Sequence, residues 1–386
     1  MSAPGENHEI SHESYVARIR RHFLRDALAH TSLWIIVLLF IVASFAPFLA
    51  NSHAIVRVAD GHVTFPVFLS MEPIEWRFLI YVPLAGVVYL LRRRLAGHAG
   101  LTAGVVAVVI VAVEIALAFS HPINDPTNNR DDHLASFKLM PLIPYSPIES
   151  TPDQFVPPSW KHPMGTDLIG RDIAARVLHG ARTSLSIGFV AQSIALLVGT
   201  TLGGLAGFYR GWLDIAVCRF IEILDCFPPL LLILVAISLF QSQNNMFYIM
   251  AVIGVTSWTS LARLVRGEFL RLSSQPFSQA AKALGASDFR VIVRHLLPNA
   301  LGPILVSSTF GVASAILLES SLSFLGFGMQ APTPSWGDIL SDAHLYIDFA
   351  WWLAFFPGVA ILVTIMSYNF VGEGLRDAVD PRLKVK

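Results

Sequence analysis

Long apolar runs separated by short polar stretches set the plan of this chain. They fall at residues 33–50, 101–119, 183–208, 226–240, 246–261, 301–327 and 350–371. A helix crossing a bilayer needs about 20 apolar residues, with a range of about 17–25, and most of these runs reach that length. The run 226–240 does so only when continued back through Asp214, Arg219, Glu222 and Asp225. Those charges then belong at an entry turn that faces the bundle or water. A shorter run, 78–91, lies between Arg77 and Arg92 and crosses only if its flanks snorkel. The pattern predicts an all-α fold, a polytopic transmembrane helical bundle with six core helices and two extra ones over residues 78–119.

The composition agrees. Only 14% of the 386 residues are charged and 54% are hydrophobic, against about 25% charged in soluble domains. The formal net charge is zero, so no basic surface points to nucleic acid. The placement of charge says more. With the N-terminus inside and all eight segments crossing, 19 of the 27 Lys and Arg residues fall on the inner side, including the Arg92–Arg93–Arg94 triplet. That excess puts both termini in the cytoplasm. Residues 1–32 form a cytoplasmic tail, and the run 33–50, which lacks a small-residue cleavage site, is an uncleaved first helix. Residues 120–180 form an outer-face segment, rich in Pro, Asn, Asp and Ser over 121–163. Cys218 and Cys226 are eight positions apart, roughly 12 Å along a helix, which is beyond disulfide reach.

The densest chemistry lies between the runs 246–261 and 301–327, in a loop expected over 268–299. Pro276 suits the first turn of a helix capped by Ser273 or Ser274. Phe277, Ala280, Ala281 and Leu284 share one apolar face, and Gly285 is placed to end the helix in a left-handed turn. Ser287 caps a second helix, with Asp288 at its positive end. Phe289, Ile292, Val293 and Leu296 form that helix's apolar face, and Pro298 opens the next membrane helix. The periodicity alone fits either a helix–turn–helix that docks on a partner or an amphipathic loop lying on its own protein or the lipid.

This stretch resembles the coupling loop of bacterial ABC importer permeases. The family pattern is Glu-Ala-Ala, three residues, Gly, nine residues, Ile, one residue, Leu-Pro. Ala280, Ala281, Gly285, Leu297 and Pro298 match it in place, while Gln279 stands where the family has Glu and His295 where it has Ile. Ala283–Ser287 and His295–Asn299 look like the peptide and nickel branch, the branch of the oligopeptide and dipeptide permease C-type subunits. Three further stretches resemble the same branch: 162–172, 322–328, and 372–377 with Asp380-Pro381-Arg382. The resemblance implies a type I ABC importer permease fold, with a core over 181–377 and a cytoplasmic tail over 378–386. It implies residence in the bacterial inner membrane, a lipid bilayer around the chain, and uptake of peptides, with nickel or another small solute as the alternative. It also implies a second homologous permease subunit, two ATP-binding subunits and an extracytoplasmic solute-binding protein. Gln279, Ala280, Ala281, Gly285, His295, Leu297 and Pro298 would then form the contact to the ATPases. No Gly-Lys pair occurs in the chain, so there is no Walker-type phosphate loop. No cofactor is expected on this chain, and ATP belongs to the partner subunits.

The remaining polar features weigh less. Gly199, Gly203 and Gly207 form a ladder that lets helices approach closely. Glu114 and Glu319 lie within apolar runs, where carboxylates are costly and face a cavity or a partner. Glu114 sits near an outer end and is expected to snorkel. Glu319 is a pathway or gate residue, or else a satisfied packing residue. His8-Glu9-Ile10-Ser11-His12 matches a zinc-protease spacing, but it sits in a polar tail with no apolar face and no third ligand. His162 and Asp167 suggest a metal pair, and a structural turn explains them better. A membrane-embedded enzyme would need polar groups converging at one depth, and none converge, so no catalytic role is assigned. A passive channel would not need a docking loop of this form.

Overall fold

The computed structural model describes residues 21–59, 62–95, 110, 113–114, 136–240, 246–329 and 332–379. The first long helix, α1 (Ala27–Leu49), is capped by Asp26, whose carboxylate accepts from the N–H groups of Leu28 and Ala29. Strands β1 (Val56–Ala59) and β2 (His62–Thr64) follow, then a short α2 (Pro66–Ser70) and α3 (Pro73–Leu95). Strand β3 (Phe137–Leu139) completes a three-stranded antiparallel sheet in the order β2-β1-β3, with Val58 opposite both Val63 and Phe137. The sheet is a small addition to a mostly helical fold. Its signal is short: β-branched Val56, Val58, Val63 and Thr64 on either side of Asp60-Gly61, a hairpin dipeptide.

The helical core starts earlier than the apolar run suggests. Helix α4 (Ile173–Tyr209) has 37 residues and is therefore about 55 Å long, well beyond the roughly 30 Å of a hydrocarbon core. Its first turns, with Arg176 and His179, belong to the outer-face segment expected over 120–180. Asp172 caps it, accepting from the Ala175 N–H at 2.8 Å. Helices α5 (Gly211–Asp225) and α6 (Pro229–Phe240) meet at a bend of 87°. Pro228 and Pro229 cannot supply backbone donors across that corner. The charges expected at an entry turn lie on α5, and Asp214 and Asp225 pair with Arg266 and Arg263 of α7 (Met246–Ser273).

Beyond α7 come α8 (Pro276–Ala283), α9 (Asp288–Val291), a π turn (Ile292–Leu296) and α10 (Leu297–Phe324). The last elements are α11 (Trp336–Ala343) and α12 (Trp352–Val379). Among the described residues five helices are long and apolar enough to cross a membrane, and six crossings result if the bent pair α5–α6 counts as one. This matches the six core segments. Of the extra pair, α3 covers the run 78–91. The run 101–119 lies outside the described residues except at 110, 113 and 114.

Helices α4 and α7 share the closest interface. A Cβ on Gly203 would lie 2.3 Å from the Ala262 carbonyl oxygen, one on Gly207 2.6 Å from that of Arg266, and one on Gly199 3.0 Å from that of Trp258. The glycine ladder is thus a seam where two backbones touch. The bundle has two distinct ends. At the sheet end lie the β-strands, the start of α4 and α11. At the loop end lie the close of α4 and α7, the short helix α8 and the start of α10.

Candidate functional site

At the loop end, the sequence produces one sharp break and two helical segments. Helix α8 closes at Gly285, whose φ is +82°. The Gly285 N–H donates to the Lys282 carbonyl at 2.9 Å, and the Ala286 N–H donates to Ala281 at 3.1 Å. These two bonds are the Schellman pattern, which needs a residue able to take a left-handed backbone at this position. Ser287 then caps the next segment, accepting from the Arg290 N–H at 3.4 Å. The entry to α8 differs from expectation. Gln275 occupies the cap without a side-chain bond, while the hydroxyls of Ser273 and Ser274 donate back to Leu270 and Arg271. Gln279 also turns back on its own loop, its Nε2 donating to the Ser274 carbonyl at 3.2 Å.

The second helix of the expected pair is not a separate unit. Helix α9, the π turn and α10 run on as one 37-residue helix from Asp288 to Phe324. Pro298 explains the π turn, because it cannot donate to the carbonyl four residues back and its ring crowds the preceding turn. The Leu297 N–H reaches the Ile292 carbonyl, five residues back. The His295 carbonyl is served by Asn299 Nδ2 at 2.6 Å.

The loop is seated through small and aliphatic side chains. Val291 and Leu296 are buried in a cluster with Phe208, Val265, Phe269 and Leu272, against which Ala281, Ala286, Ile292 and Leu297 pack. Lys282 anchors it further, with Nζ 4.2 Å from the centre of the Phe208 ring and 3.6 Å from Asp288. Periodicity missed this arrangement. It grouped Phe277, Ala280 and Leu284 with Ala281 on one apolar face, but Ser278 is the buried residue beside Ala281 and Leu284 is 88% exposed. Phe289 is 74% exposed, and Phe277 and Val293 are also exposed. Ala280 and Pro298 face outward beside them. The loop therefore shows an apolar face away from its own protein, backed by the joined ends of α4, α7 and α10.

Glu319 sits elsewhere, near the far end of α10. It is fully buried; its Oε1 accepts from Ser323 Oγ at 2.8 Å and Oε2 lies 3.5 Å from Ser184 Oγ. The Ser184 hydroxyl in turn accepts from the Trp336 N–H at 3.2 Å. Helices α4 and α10 and the start of α11 thus meet around this carboxylate.

At the sheet end, buried charges link the elements. Arg176 bridges Asp167 at 2.7 Å and Asp338 at 2.7 Å, and Arg171 pairs with Asp167 at 2.6 Å. Burial pushes the Asp338 carboxyl above its usual range, against the pull of Arg176. His162 Nδ1 lies 2.8 Å from Asp172, and burial raises the Asp172 carboxyl despite its bonds to Ala175 and His162. His162 and Asp167 thus serve different partners. Among the described residues no group of three or more His, Cys, Asp or Glu is arranged to hold a metal ion. Glu75, ahead of the apolar stretch of α3, meets Arg182 Nη1 at 2.7 Å. Burial pushes its carboxyl up, but Arg182 and His179 together pull it down further, to about 2. Glu114 pairs with Arg77 at 2.8 Å and accepts from the Tyr81 hydroxyl at 2.9 Å. It is held by a partner instead of snorkelling. The His8–His12 motif lies outside the described residues. Cys218 and Cys226 are both free.

Residues 199–385 match the family model of the binding-protein-dependent transport system inner membrane component. Residues 14–58 match the N-terminal TM domain of oligopeptide transport permease C. The chain is 43% identical over 228 residues to the dipeptide transport system permease protein DppC of Alkalihalophilus pseudofirmus, covering 59% of this chain and 74% of that protein. It is 39% identical over 227 residues to the glutathione transport system permease protein GsiD of Pectobacterium atrosepticum, covering 59% and 75%. A solved inward-facing structure of the MetNI methionine ABC transporter aligns with a TM-score of 0.46 at 18% identity, over 54% of this chain and 98% of that one.

Proposed function

The chain belongs to the family of binding-protein-dependent transport system inner membrane components, and from that premise we propose that it forms half of a peptide pathway driven by partner ATPases. It is a permease subunit of an ABC importer and not an enzyme. Small peptides are the substrate class, in line with relatives named for dipeptides and glutathione. The complex comprises this chain, a second permease, two ATP-binding subunits and an extracytoplasmic solute-binding protein. The loop end faces the cytoplasm with both termini, as the excess of Lys and Arg there supports. The sheet end faces outward and receives the binding protein.

One observation carries the reading: the loop around Gly285 is rigidly seated on α4, α7 and α10, yet turns Phe277, Leu284, Phe289 and Val293 away from the protein. Such a face gains from burial in a partner groove. Its seat passes a displacement to three membrane helices, because packed interiors transmit strain. Gln279, Ala280, Ala281, Gly285, His295, Leu297 and Pro298 shape and orient this contact. Glu319 acts as a gate latch, joining α4, α10 and the α11 segment at the outward half of the bundle.

Site-directed crosslinking tests the reading. With Cys218 and Cys226 replaced by Ser, Leu284→Cys should crosslink to a cysteine placed in the groove of the partner ATPase, and nucleotide should change the yield. Labelling of Leu284→Cys in intact cells by a membrane-impermeant maleimide would overturn it.

A further inference from the structure

A polar cavity of about 450 Å³ lies at the sheet end, between the α2–α3 corner, the start of α4, residues 146–148 and residues 332–334. Its size falls within the range of small-molecule sites, about 300–1,000 Å³. The coupling loop plays no part in it. Asn51, Glu72, Glu75, His179, Arg182 and Thr333 are among its lining residues.

The wall is built from buried polar groups. Arg182 is 5% exposed, with Nη1 on Glu75 Oε1 at 2.7 Å and Nη2 on His179 Nδ1 at 3.2 Å. His179 Nε2 donates to the Ala50 carbonyl at 2.8 Å. Its Nδ1 lies between Arg182 Nη2 at 3.2 Å and Glu75 Oε1 at 3.3 Å. The Arg182 Nε–H is buried with no partner among the described residues, a costly state for a donor in an otherwise paired wall. Glu75 already neutralises Arg182. Glu72 is left over: it is exposed, and its carboxylate has no partner among the described residues. The lining therefore places an unpaired carboxylate at an accessible position and hydrogen-bond donors deeper in.

We propose that this cavity binds a solute bearing a primary ammonium group, with the ammonium on Glu72 and an oxygen acceptor of the solute toward Arg182. The amino end of a small peptide has this chemistry, and to that extent the assignment rests on the proposed substrate class. The cavity is then a site within the permease, separate from the binding protein, where the solute is held by its amine. A carboxylate is disfavoured, because Glu72 repels it and the arginine is already paired.

The test uses the complete transporter in lipid nanodiscs, without nucleotide or binding protein, and calorimetric titration with L-alanyl-L-alanine, N-acetyl-L-alanyl-L-alanine and n-butylammonium. The free dipeptide should bind, and acetylation should abolish binding. Glu72→Gln should weaken binding of the dipeptide and of butylammonium at least about tenfold, as expected for loss of a charge-assisted hydrogen bond. Thr333→Trp, which fills the cavity from a different element, should do the same. Equal binding of acetylated and free dipeptide, or no change in both variants, overturns the assignment. So does a pattern in which no ammonium probe binds but Glu72→Gln weakens docking of the solute-free binding protein, since the ammonium would then be a lysine of that protein. The two readings fail separately. Butylammonium binding that is lost in Glu72→Gln supports the cavity even if the reconstituted importer takes up no peptide. Robust peptide uptake with no ammonium binding removes the cavity and leaves the importer.

Discussion

Replacing Gly285 by Val isolates the backbone's contribution to coupling. A Cβ at this position would meet nothing within 4 Å, yet the residue holds a φ of +82°. The substitution therefore adds no clash with the fold and acts through conformation alone. An L-residue in the left-handed region costs roughly 1–2 kcal/mol, with β-branched side chains worst placed. Helix α8 has only eight residues, below the roughly 12–15 that hold an isolated helix together. Its closing bonds from Gly285 and Ala286 thus depend on that turn. A penalty of 1–2 kcal/mol lowers the population of the formed loop by a factor of about 5–30. In proteoliposomes holding the full complex, dipeptide uptake per ATP hydrolysed should fall toward that range while the membrane level of the subunit stays constant. Gly285→Asn, which tolerates the left-handed region, should keep coupling within about twofold. Normal coupling in Gly285→Val would refute the reasoning, because the loop would then transmit motion without its turn.

Four further outcomes follow from the same structure. Glu75→Gln leaves the buried Arg182 without its counter-charge and should cost about 3–5 kcal/mol, read as a lower thermal midpoint in detergent. Since the folded Glu75 carboxyl lies near 2, below about 4.3 when unfolded, its stabilisation is complete above about pH 4.3 and is lost as pH falls through 2. A Glu75→Gln protein as acid-sensitive as the parent in that window would count against the pair. Gly203→Leu drives a side chain into the Ala262 carbonyl 2.3 Å away and should destabilise by about 3 kcal/mol, whereas Gly267→Ala, with nothing within 4 Å, should fold normally. Glu319→Gln should retain uptake, since an amide still bonds Ser323 and Ser184, while Glu319→Leu should lose it; equal uptake by both would remove the latch. Deleting residues 1–13 should leave uptake and zinc content unchanged, and zinc-dependent proteolysis lost with the tail would show otherwise.

The chain's own order of residues determined its membrane character, its six core crossings and the position of the break at Gly285. These depend on local composition: apolar length sets a crossing, and a glycine after a short helix sets a left-handed stop. Tertiary structure alone decided which surfaces face inward. Phe277, Ala281 and Leu284 share a helical period, but the cluster of Phe208 and Phe269 takes Ala281 against it, Ser278 is buried, and the large side chains stay outside. The fusion of α9 with α10 through a π turn, and the pairing of Glu75 with Arg182 across 107 positions, were likewise not legible. Periodicity reports which residues lie on one face, but not what that face meets, because the partner surface is assembled from segments distant in the chain.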